Sequence, residues 1–168
     1  MANLHKIIFN DVINFKLPIL KQVGRNFDKK ASIEMKISFE QFCINQSYWL
    51  DDYSRYWALK EENDQKSWVE WKLSTVQNTE YVHEAKVIQF LFHDQWHRLR
   101  QYCRGKGILI IGDMPIYMGY DSADIYANPE LFQLDSEGRM KYQGGCPPCE
   151  YQEEGQLWGN PLYLSLIH

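Results

Sequence analysis

The amino-acid sequence predicts an α/β fold, and two neighbouring segments predict it. The first is a long amphipathic helix over about residues 79–104, whose apolar stripe contains Ala85, Ile88, Phe92, Trp96, Leu99 and Cys103. The second is the apolar run Ile-Leu-Ile-Ile at 108–111, which is typical of a strand buried on both faces of a parallel sheet. A long helix followed by a buried strand is one unit of an α/β architecture.

Only one such strand is evident, whereas a closed barrel of alternating strands and helices takes about 250 residues. The chain has 168 residues, so we expect a piece of a larger α/β domain. Gly105 and Gly107 are expected to end the long helix. After the strand, breaker pairs such as Asn128-Pro129 and Gly144-Gly145 predict a segment rich in loops.

The first half of the chain is predicted to be helical. Asp11 can cap a short amphipathic run that Pro18 interrupts or kinks. Ser38 and Gln41 have the spacing of a capping box and predict the start of a second helix. A third helix is predicted over residues 49–62, with Asn63 as its terminator.

Charge and composition exclude several classes of function. The net charge is −4, and the lysines and arginines are scattered, so no basic face for nucleic acid is predicted. No apolar stretch approaches the roughly 20 residues of a membrane span. The N-terminus lacks the apolar core of a signal peptide, so we expect a cytoplasmic protein. The six Trp, eleven Tyr and eight Phe residues suit either a core or platforms for sugar rings.

Asp113 is the first candidate site residue. It follows the predicted strand almost directly, at the carboxyl end where α/β proteins bind ligands, and Pro115 stiffens the loop behind it. From position alone, Asp113 equally suits a cap of the following turn. Asp121 and Asp124 are two more carboxylates, within one turn of each other, that could share acid/base work on a glycosidic bond. Taken alone, that pair is more typical of a helix N-terminus capped by Asp121 or Ser122.

Two motifs suggest a metal or a redox site, and both suit a structural explanation better. His93 and His97 share a helix face as zinc ligands would, but no third ligand is evident and the pair borders the apolar stripe. Cys146 and Cys149 have Cys-x-x-Cys spacing without a second ligand pair, and two prolines between them predict a turn. We expect free, reduced thiols and no metal.

Several stretches together resemble glycoside hydrolase family 77, the amylomaltases or 4-α-glucanotransferases. The resemblance begins with an early helix at 14–20, the Trp-Leu-Asp-Asp-Tyr segment at 49–53 and a helix at 90–96. It is strongest in Gly-Asp-Met-Pro-Ile-Tyr at 112–117, Asp-Ser-Ala-Asp at 121–124, Asn-Pro-Glu-Leu-Phe at 128–132 and Gly-Gln-Leu-Trp-Gly-Asn-Pro-Leu-Tyr at 155–163. These stretches follow the family's order and spacing and cover nearly the whole chain.

The resemblance implies an incomplete (β/α)8 barrel with helical and loop insertions. Residues of about 36–78 would form a helical insertion, and about 79–168 a barrel helix, a strand and the loops of a substrate groove. The implied activity is transfer of α-1,4-glucan segments between maltooligosaccharides, amylose, starch or glycogen by a retaining double displacement. It implies no cofactor and no metal, and the charge and hydropathy patterns above predict no nucleic acid and no membrane as partners.

The resemblance also assigns roles to individual residues. Asp113 resembles an aspartate that hydrogen-bonds the sugar beside the cleaved bond, and Trp158, Gly159 and Asn160 match a loop that lines the glucan groove. Pro115, Asp121 and Asp124 are expected to organise the loop after Asp113. The nucleophile, the general acid and the third catalytic aspartate of the family would lie beyond these residues. No residue of this chain is therefore expected to be catalytic, and the chain alone is expected to be inactive.

The sequence departs from the family pattern in two places, of which the first concerns binding of the acceptor sugar. The loop at 145–151 usually reads Pro-Pro-Asp and two aromatic residues, whereas here Cys149 and Glu150 replace the aspartate and one ring. After Tyr163 the family usually continues with Asp-Trp, and this chain does not. Two alternatives to a transferase remain, namely a non-catalytic glucan-binding or remnant fragment and a hydrolase.

Overall fold

The computed structural model describes residues 7–150 and 153–164. Residues 1–6, where no signal peptide is expected, Tyr151 of the loop at 145–151 and the tail at 165–168 lie outside the described residues. The chain divides into two compact units. The helical unit comprises Met1–Ser54 and Asn78–Ile110, and the loop unit comprises Arg55–Gln77 and Ile111–His168.

The helical unit begins with α1, Phe9–Lys30, which is one continuous helix of 22 residues. Pro18 lies inside it, so the prediction that this proline interrupts the run is wrong as far as helix length is concerned. Asp11 lies in the first turn and does not cap the helix. The packing of α1 along a later helix outweighs the local penalty of proline, about 3 kcal/mol in a helix interior.

The second helix, α2, spans Ile33–Asn45 and starts earlier than predicted. Its cap is Ser32, whose hydroxyl oxygen accepts a hydrogen bond from the Met35 amide at 3.2 Å. Ser38 lies inside the helix, where its hydroxyl donates to the Glu34 carbonyl at 2.9 Å. The capping-box prediction is therefore wrong, because two serines six residues apart both suit a cap and only one coincides with extended backbone.

The third helix, α3, spans Ser47–Glu62, close to its predicted bounds. Asn63 follows it, as predicted, and is buried. Its side-chain amide donates to the Leu59 and Leu73 carbonyls, and its oxygen accepts from the Lys72 and Leu73 amides. This asparagine thus ends the helix and supplies hydrogen-bond partners for the backbone that follows.

The longest helix, α4, spans Thr79–Gly105, and Gly107 after it has a positive φ of 71°. The predicted apolar stripe is largely wrong, because Phe92, Trp96 and Leu99 are exposed. The face that is buried carries Glu84, Ala85, Val87 and Phe90. Both faces are apolar, so periodicity alone could not distinguish the side that packs inside this unit.

The core of the helical unit contains four phenylalanines and two aliphatic residues: Phe27, Phe39, Phe42, Leu50, Val87 and Phe90. The Phe90 ring lies 6.0, 5.6 and 5.7 Å from those of Phe27, Phe39 and Phe42. Pairs at such separations contribute about 0.5–1.5 kcal/mol each beyond the burial of their surface. The rings therefore join α1, α2 and α4.

The predicted buried strand at 108–111 is not a strand in the structure. Leu109 and Ile111 are 88% and 95% exposed. Among the described residues, 109–119 make no backbone–backbone hydrogen bond. A parallel strand is stabilised by neighbours on both sides and by covering helices, and no described segment provides them here. The apolar run alone could not supply these contacts.

The loop unit contains the short helix α5, Ala123–Ala127, two 3-10 turns at Trp68–Glu70 and Pro129–Leu131, and the antiparallel strands β1, Gln143–Cys146, and β2, Gln156–Pro161. Its interior includes a chain of contacting rings from Tyr56, Trp68, Trp71, Tyr120 and Tyr126, with centroid separations of 5.0 to 6.1 Å. None of the helices in the described residues combines the length and apolar character required to cross a bilayer.

Candidate functional site

The Asp113 loop, residues 111–118, carries the first predicted site residue. The Asp113 side chain is exposed and makes no hydrogen bond or ion pair with any described residue. Pro115 is also exposed, and its ring fixes the backbone φ at its own position in this loop. A carboxylate without a protein partner can accept hydrogen bonds from a ligand's hydroxyl groups. The aspartate is therefore available for binding.

The predicted groove residues Trp158, Gly159 and Asn160 form a bulge in β2. Gly145 pairs with Leu157 and Gln143 pairs with Pro161, so three residues of β2 lie opposite the single residue Gly144 of β1. Gly159 has a φ of 73°, which only glycine adopts without strain. Bulges redirect side chains and are frequent beside active sites. The local backbone therefore sets how Trp158 and Asn160 project from the sheet.

Three contacts connect this bulge and Tyr163, three residues after it, to the Asp113 loop. The Asn160 side-chain amide donates to the Met118 carbonyl at 2.7 Å, and the Tyr163 hydroxyl donates to the Ile116 carbonyl at 2.8 Å. The Tyr117 ring lies 5.1 Å from that of Trp158, with 55° between their planes. The structure thus brings the Asp113 loop together with two of the three predicted groove residues.

Asp121 is held by a network within the loop unit. Its carboxylate accepts hydrogen bonds from the Tyr56 hydroxyl at 2.7 Å and from the Trp68 amide at 3.3 Å, and it pairs with the Lys60 ammonium group. The Trp68 indole N–H donates to the Tyr120 carbonyl at 2.9 Å. Asp121 thereby links residues 56–68 to the chain that follows the Asp113 loop.

The network changes the pKa values of Asp121 and Tyr56. Partial burial raises the pKa of Asp121, but the hydrogen bonds from Lys60 and Tyr56 and the charge of Lys60 outweigh it, so the pKa lies below its usual range. Burial, followed by the hydrogen bond to Asp121, raises the pKa of Tyr56 well above its usual range. Asp121 is therefore charged near neutrality and serves as an acceptor rather than an acid.

Asp124 lies in the first turn of α5 and is exposed. The cap of this helix is Ser122, whose hydroxyl oxygen accepts from the Ile125 amide at 3.5 Å, so one of the two predicted caps is confirmed. The Asp124 backbone carbonyl accepts both the backbone and the side-chain amide of Asn128. Asp121 and Asp124 are thus not a pair of equivalent carboxylates, because their surroundings differ.

Sequence reasoning did not single out Tyr56, Lys60, Tyr117 or Tyr163. Tyr56 and Lys60 are four residues apart in α3 and so share a helix face, which was an available signal. Nothing local could show that this face meets Asp121, which is 65 and 61 positions further on. Tyr117 and Tyr163 lie in stretches that carry the family resemblance, without any feature that indicates their contacts.

In the described residues, neither the histidine motif at 93 and 97 nor the cysteine motif at 146 and 149 is arranged as a metal or redox site. Within residues 7–150 and 153–164 there is no group of three or more His, Cys, Asp and Glu side chains that could hold a metal ion. His93 is exposed, and a His97 ring nitrogen lies 2.8 Å from the Gln101 amide nitrogen. Cys43, Cys103, Cys146 and Cys149 are free thiols.

The loop at 145–151 begins at a position where a neighbouring carbonyl leaves no room for a side chain. A Cβ atom on Gly145 would lie 2.3 Å from the Gln156 carbonyl oxygen, and one on Gly155 would lie 2.7 Å from the Cys146 carbonyl oxygen. Cys149 and Glu150 are exposed between these two glycines. The β1–β2 pairing is therefore close at this point, and the two residues that depart from the family pattern project into solvent.

Comparisons with known proteins show which family the chain resembles. The family model of glycoside hydrolase family 77, described as 4-alpha-glucanotransferase, matches residues 1–165. The 4-alpha-glucanotransferase of Thermus thermophilus is 40% identical over 161 residues, which cover 89% of this chain and 32% of that protein. The 4-alpha-glucanotransferase of Aquifex aeolicus is 37% identical over 174 residues, covering 95% of this chain and 34% of that protein.

A solved structure is also similar to nearly the whole of this chain. The amylomaltase from Streptococcus agalactiae in complex with acarbose superimposes with a TM-score of 0.82 at 30% identity, over 94% of this chain and 34% of that chain. The chain thus spans about a third of the length of the proteins it matches. On the family match and these identities, the chain belongs to glycoside hydrolase family 77, the 4-alpha-glucanotransferases.

Proposed function

We propose that this chain is the glucan-groove part of a 4-α-glucanotransferase that transfers α-1,4-glucan segments between maltooligosaccharides. Its likeness to an amylomaltase at 30% identity supports a place in an incomplete (β/α)8 barrel. In the proposed reaction a carboxylate supplied from outside these residues attacks the anomeric carbon and a carboxylic acid protonates the departing 4-oxygen. The 4-hydroxyl of a second glucan then displaces the carboxylate, which retains the anomeric configuration.

The bulge at 158–160 is the observation that carries this proposal. It projects an exposed indole ring and an amide from the same three residues, and its neighbours connect it to the Asp113 loop. Sugars present apolar C–H faces as well as hydroxyl groups. A groove with an aromatic ring, an amide and an unpaired carboxylate suits both surfaces.

Each predicted residue has a part in this groove. Asp113 accepts hydrogen bonds from sugar hydroxyls, and Trp158 packs against a pyranose ring. Gly159 sets the bend in β2 that exposes the Trp158 ring. Asn160 lines the groove while its amide N–H is directed to the Met118 carbonyl. Pro115, Asp121 and Asp124 act on the loop rather than on the sugar. The chemistry requires no cofactor.

The first test is substitution of Asp113 in the full-length protein that contains this segment. Hydrogen bonds to charged groups contribute about 1.5–3 kcal/mol, so Asp113→Ala is expected to lower kcat/KM on maltotriose by roughly tenfold to a hundredfold. Because the side chain is exposed and without a protein partner, the unfolding midpoint should stay unchanged. Asp52→Ala, at an exposed aspartate of α3, is the matched control.

The same assay separates the alternatives. Formation of glucose together with longer maltooligosaccharides indicates transfer, whereas shorter products alone indicate a hydrolase. Binding of maltoheptaose without turnover would support a non-catalytic glucan-binding protein. Absence of both binding and turnover, or normal transfer by Asp113→Ala, would overturn the corresponding part of the proposal.

A further inference from the structure

The rings of Tyr117 and Trp158 differ from the other ring contacts of the loop unit in their exposure. Tyr117 is 44% exposed and Trp158 is 41% exposed, although the two rings are 5.1 Å apart. By contrast, Tyr56 is buried among its ring contacts, and in the contact between Phe132 and Tyr163 only Tyr163 is exposed, at 42%. A ring pair that only filled a core would be covered by the protein. This pair leaves a large part of its apolar surface open to solvent.

The backbone on both sides of Tyr117 is held by side chains. The carbonyl before it, on Ile116, accepts the Tyr163 hydroxyl, and the carbonyl after it, on Met118, accepts the Asn160 amide. No backbone–backbone hydrogen bond in the described part of the chain involves residues 116–118. These two side-chain contacts therefore place Tyr117, and both come from the segment that carries Trp158.

The Trp158 ring is also oriented before any ligand arrives. Its indole N–H donates to the Gln156 side-chain oxygen at 2.9 Å, and its backbone belongs to the bulge opposite Gly144. Rings that are already ordered lose little conformational entropy when a ligand packs on them. Both members of the pair meet this condition.

We propose that Tyr117 is a second sugar-contacting residue, whose ring forms with that of Trp158 an aromatic platform for the pyranose rings of a bound α-1,4-glucan. This inference depends on the proposed function of the groove. The C–H face of a pyranose is apolar and slightly positive, so it packs favourably on the negative face of an aromatic ring. Tyr163 and Asn160 are positioning residues for the platform, since they act through the backbone around Tyr117.

The test compares two replacements of Tyr117 in the full-length protein, with maltoheptaose as the probe. Tyr117→Leu keeps an apolar side chain without a flat face and is expected to raise the Kd about threefold to tenfold. Tyr117→Phe keeps the ring and should bind within about twofold of the parent protein. Tyr48→Leu, at an exposed tyrosine of α3, is the matched control and should have no effect.

Kinetics and hydrogen exchange distinguish a sugar contact from a merely structural role. Loss of a contact made equally in the ground and transition states raises KM for maltoheptaose and leaves kcat within about twofold. Amide exchange in the β1–β2 hairpin that carries Trp158, at 143–146 and 156–161, should be unchanged in Tyr117→Leu. Faster exchange together with weaker binding in both variants would assign Tyr117 to loop structure and overturn the inference.

The outcomes also separate this inference from the proposed function. If the parent protein binds and transfers glucans while Tyr117→Leu binds maltoheptaose equally well, only the platform is wrong. If the parent protein neither binds maltoheptaose nor transfers glucose units from it, the proposed function fails and the platform fails with it.

Discussion

Both units contain packed aromatic rings, but they differ in the contacts that hold their backbone segments in place. In the helical unit, rings from α1, α2 and α4 pack into a core, and the contacts are apolar and non-directional. In the loop unit, side chains such as Asp121, Asn160 and Tyr163 hold backbone segments through hydrogen bonds of defined direction. The candidate site lies where the directional contacts are found. A site requires loops held in one geometry, and directional contacts specify geometry better than burial does.

The helical unit also contains a charged contact, which lies between the packed helices α1 and α4. Glu84 is 1% exposed, and Arg25 donates to it at 3.3 Å. A Cβ atom on Gly24 would lie 2.8 Å from the Glu84 Cγ atom, so α1 and α4 approach closely at this glycine. The charge pair therefore lies within helix packing, whereas Asp121 joins irregular backbone to α3 and to the Trp68 amide.

The largest expected effect is on the apolar core. Phe90→Ala removes the ring that contacts three other phenylalanines and should lower the free energy of unfolding by about 3–5 kcal/mol. Phe92→Ala, at an exposed position of the same helix, should change it by less than about 0.5 kcal/mol. Urea unfolding followed by circular dichroism measures both. Equal losses in the two variants would contradict the core assigned to the helical unit.

A smaller and more local effect is expected in the β1–β2 hairpin. Gly145→Ala places a Cβ atom 2.3 Å from the Gln156 carbonyl oxygen, so the strands must separate, at a cost of about 1–3 kcal/mol. Gly119→Ala, which has open space around it, is the control. Amide exchange at 143–146 and 156–161 should accelerate only in the first variant. Unchanged exchange there would show that the hairpin does not depend on this close approach.

The smallest expected effect concerns Asp121 and pH. Because the folded state lowers the pKa of this carboxyl, its contribution is present above the unfolded value and is lost as the pH falls through the lower folded value. The unfolded value is about 4, and partial exposure limits the contribution to about 1 kcal/mol. Asp121→Asn should therefore be less stable than the parent at pH 7, and the difference should shrink below about pH 4.

Thermal unfolding at several pH values measures this difference, with Asp52→Asn as the control at an exposed aspartate. A difference between Asp121→Asn and the parent that stays constant down to pH 2 would mean that the charge of Asp121 does not stabilise the loop unit. Such a result would mean that the charge of Asp121 is no part of the difference between the loop unit and the helical unit.

The elements that were predicted well depend on short stretches of chain. The helices α3 and α4, the termination by Asn63 and the cap by Ser122 all follow from residues within a few positions of one another. The predictions that failed needed information from elsewhere. Pro18 was compatible with a long helix because α1 packs on α4, and the run at 108–111 is exposed because no described strand lies beside it.

By itself, the sequence determined the family and the principal helices, because each depends on local backbone preference or on an ordered series of motifs. It did not determine the hairpin, since the glycines at 144–145 and 159 predicted loops and the structure pairs them in β1 and β2. Only the tertiary structure decided which side chains hold the Asp113 loop and Asp121. The partners in these contacts are 42, 47 and 65 positions apart. Helical and strand periodicities extend over a few residues, so they carry no information on pairs at such separations. Packing of the whole unit selects them.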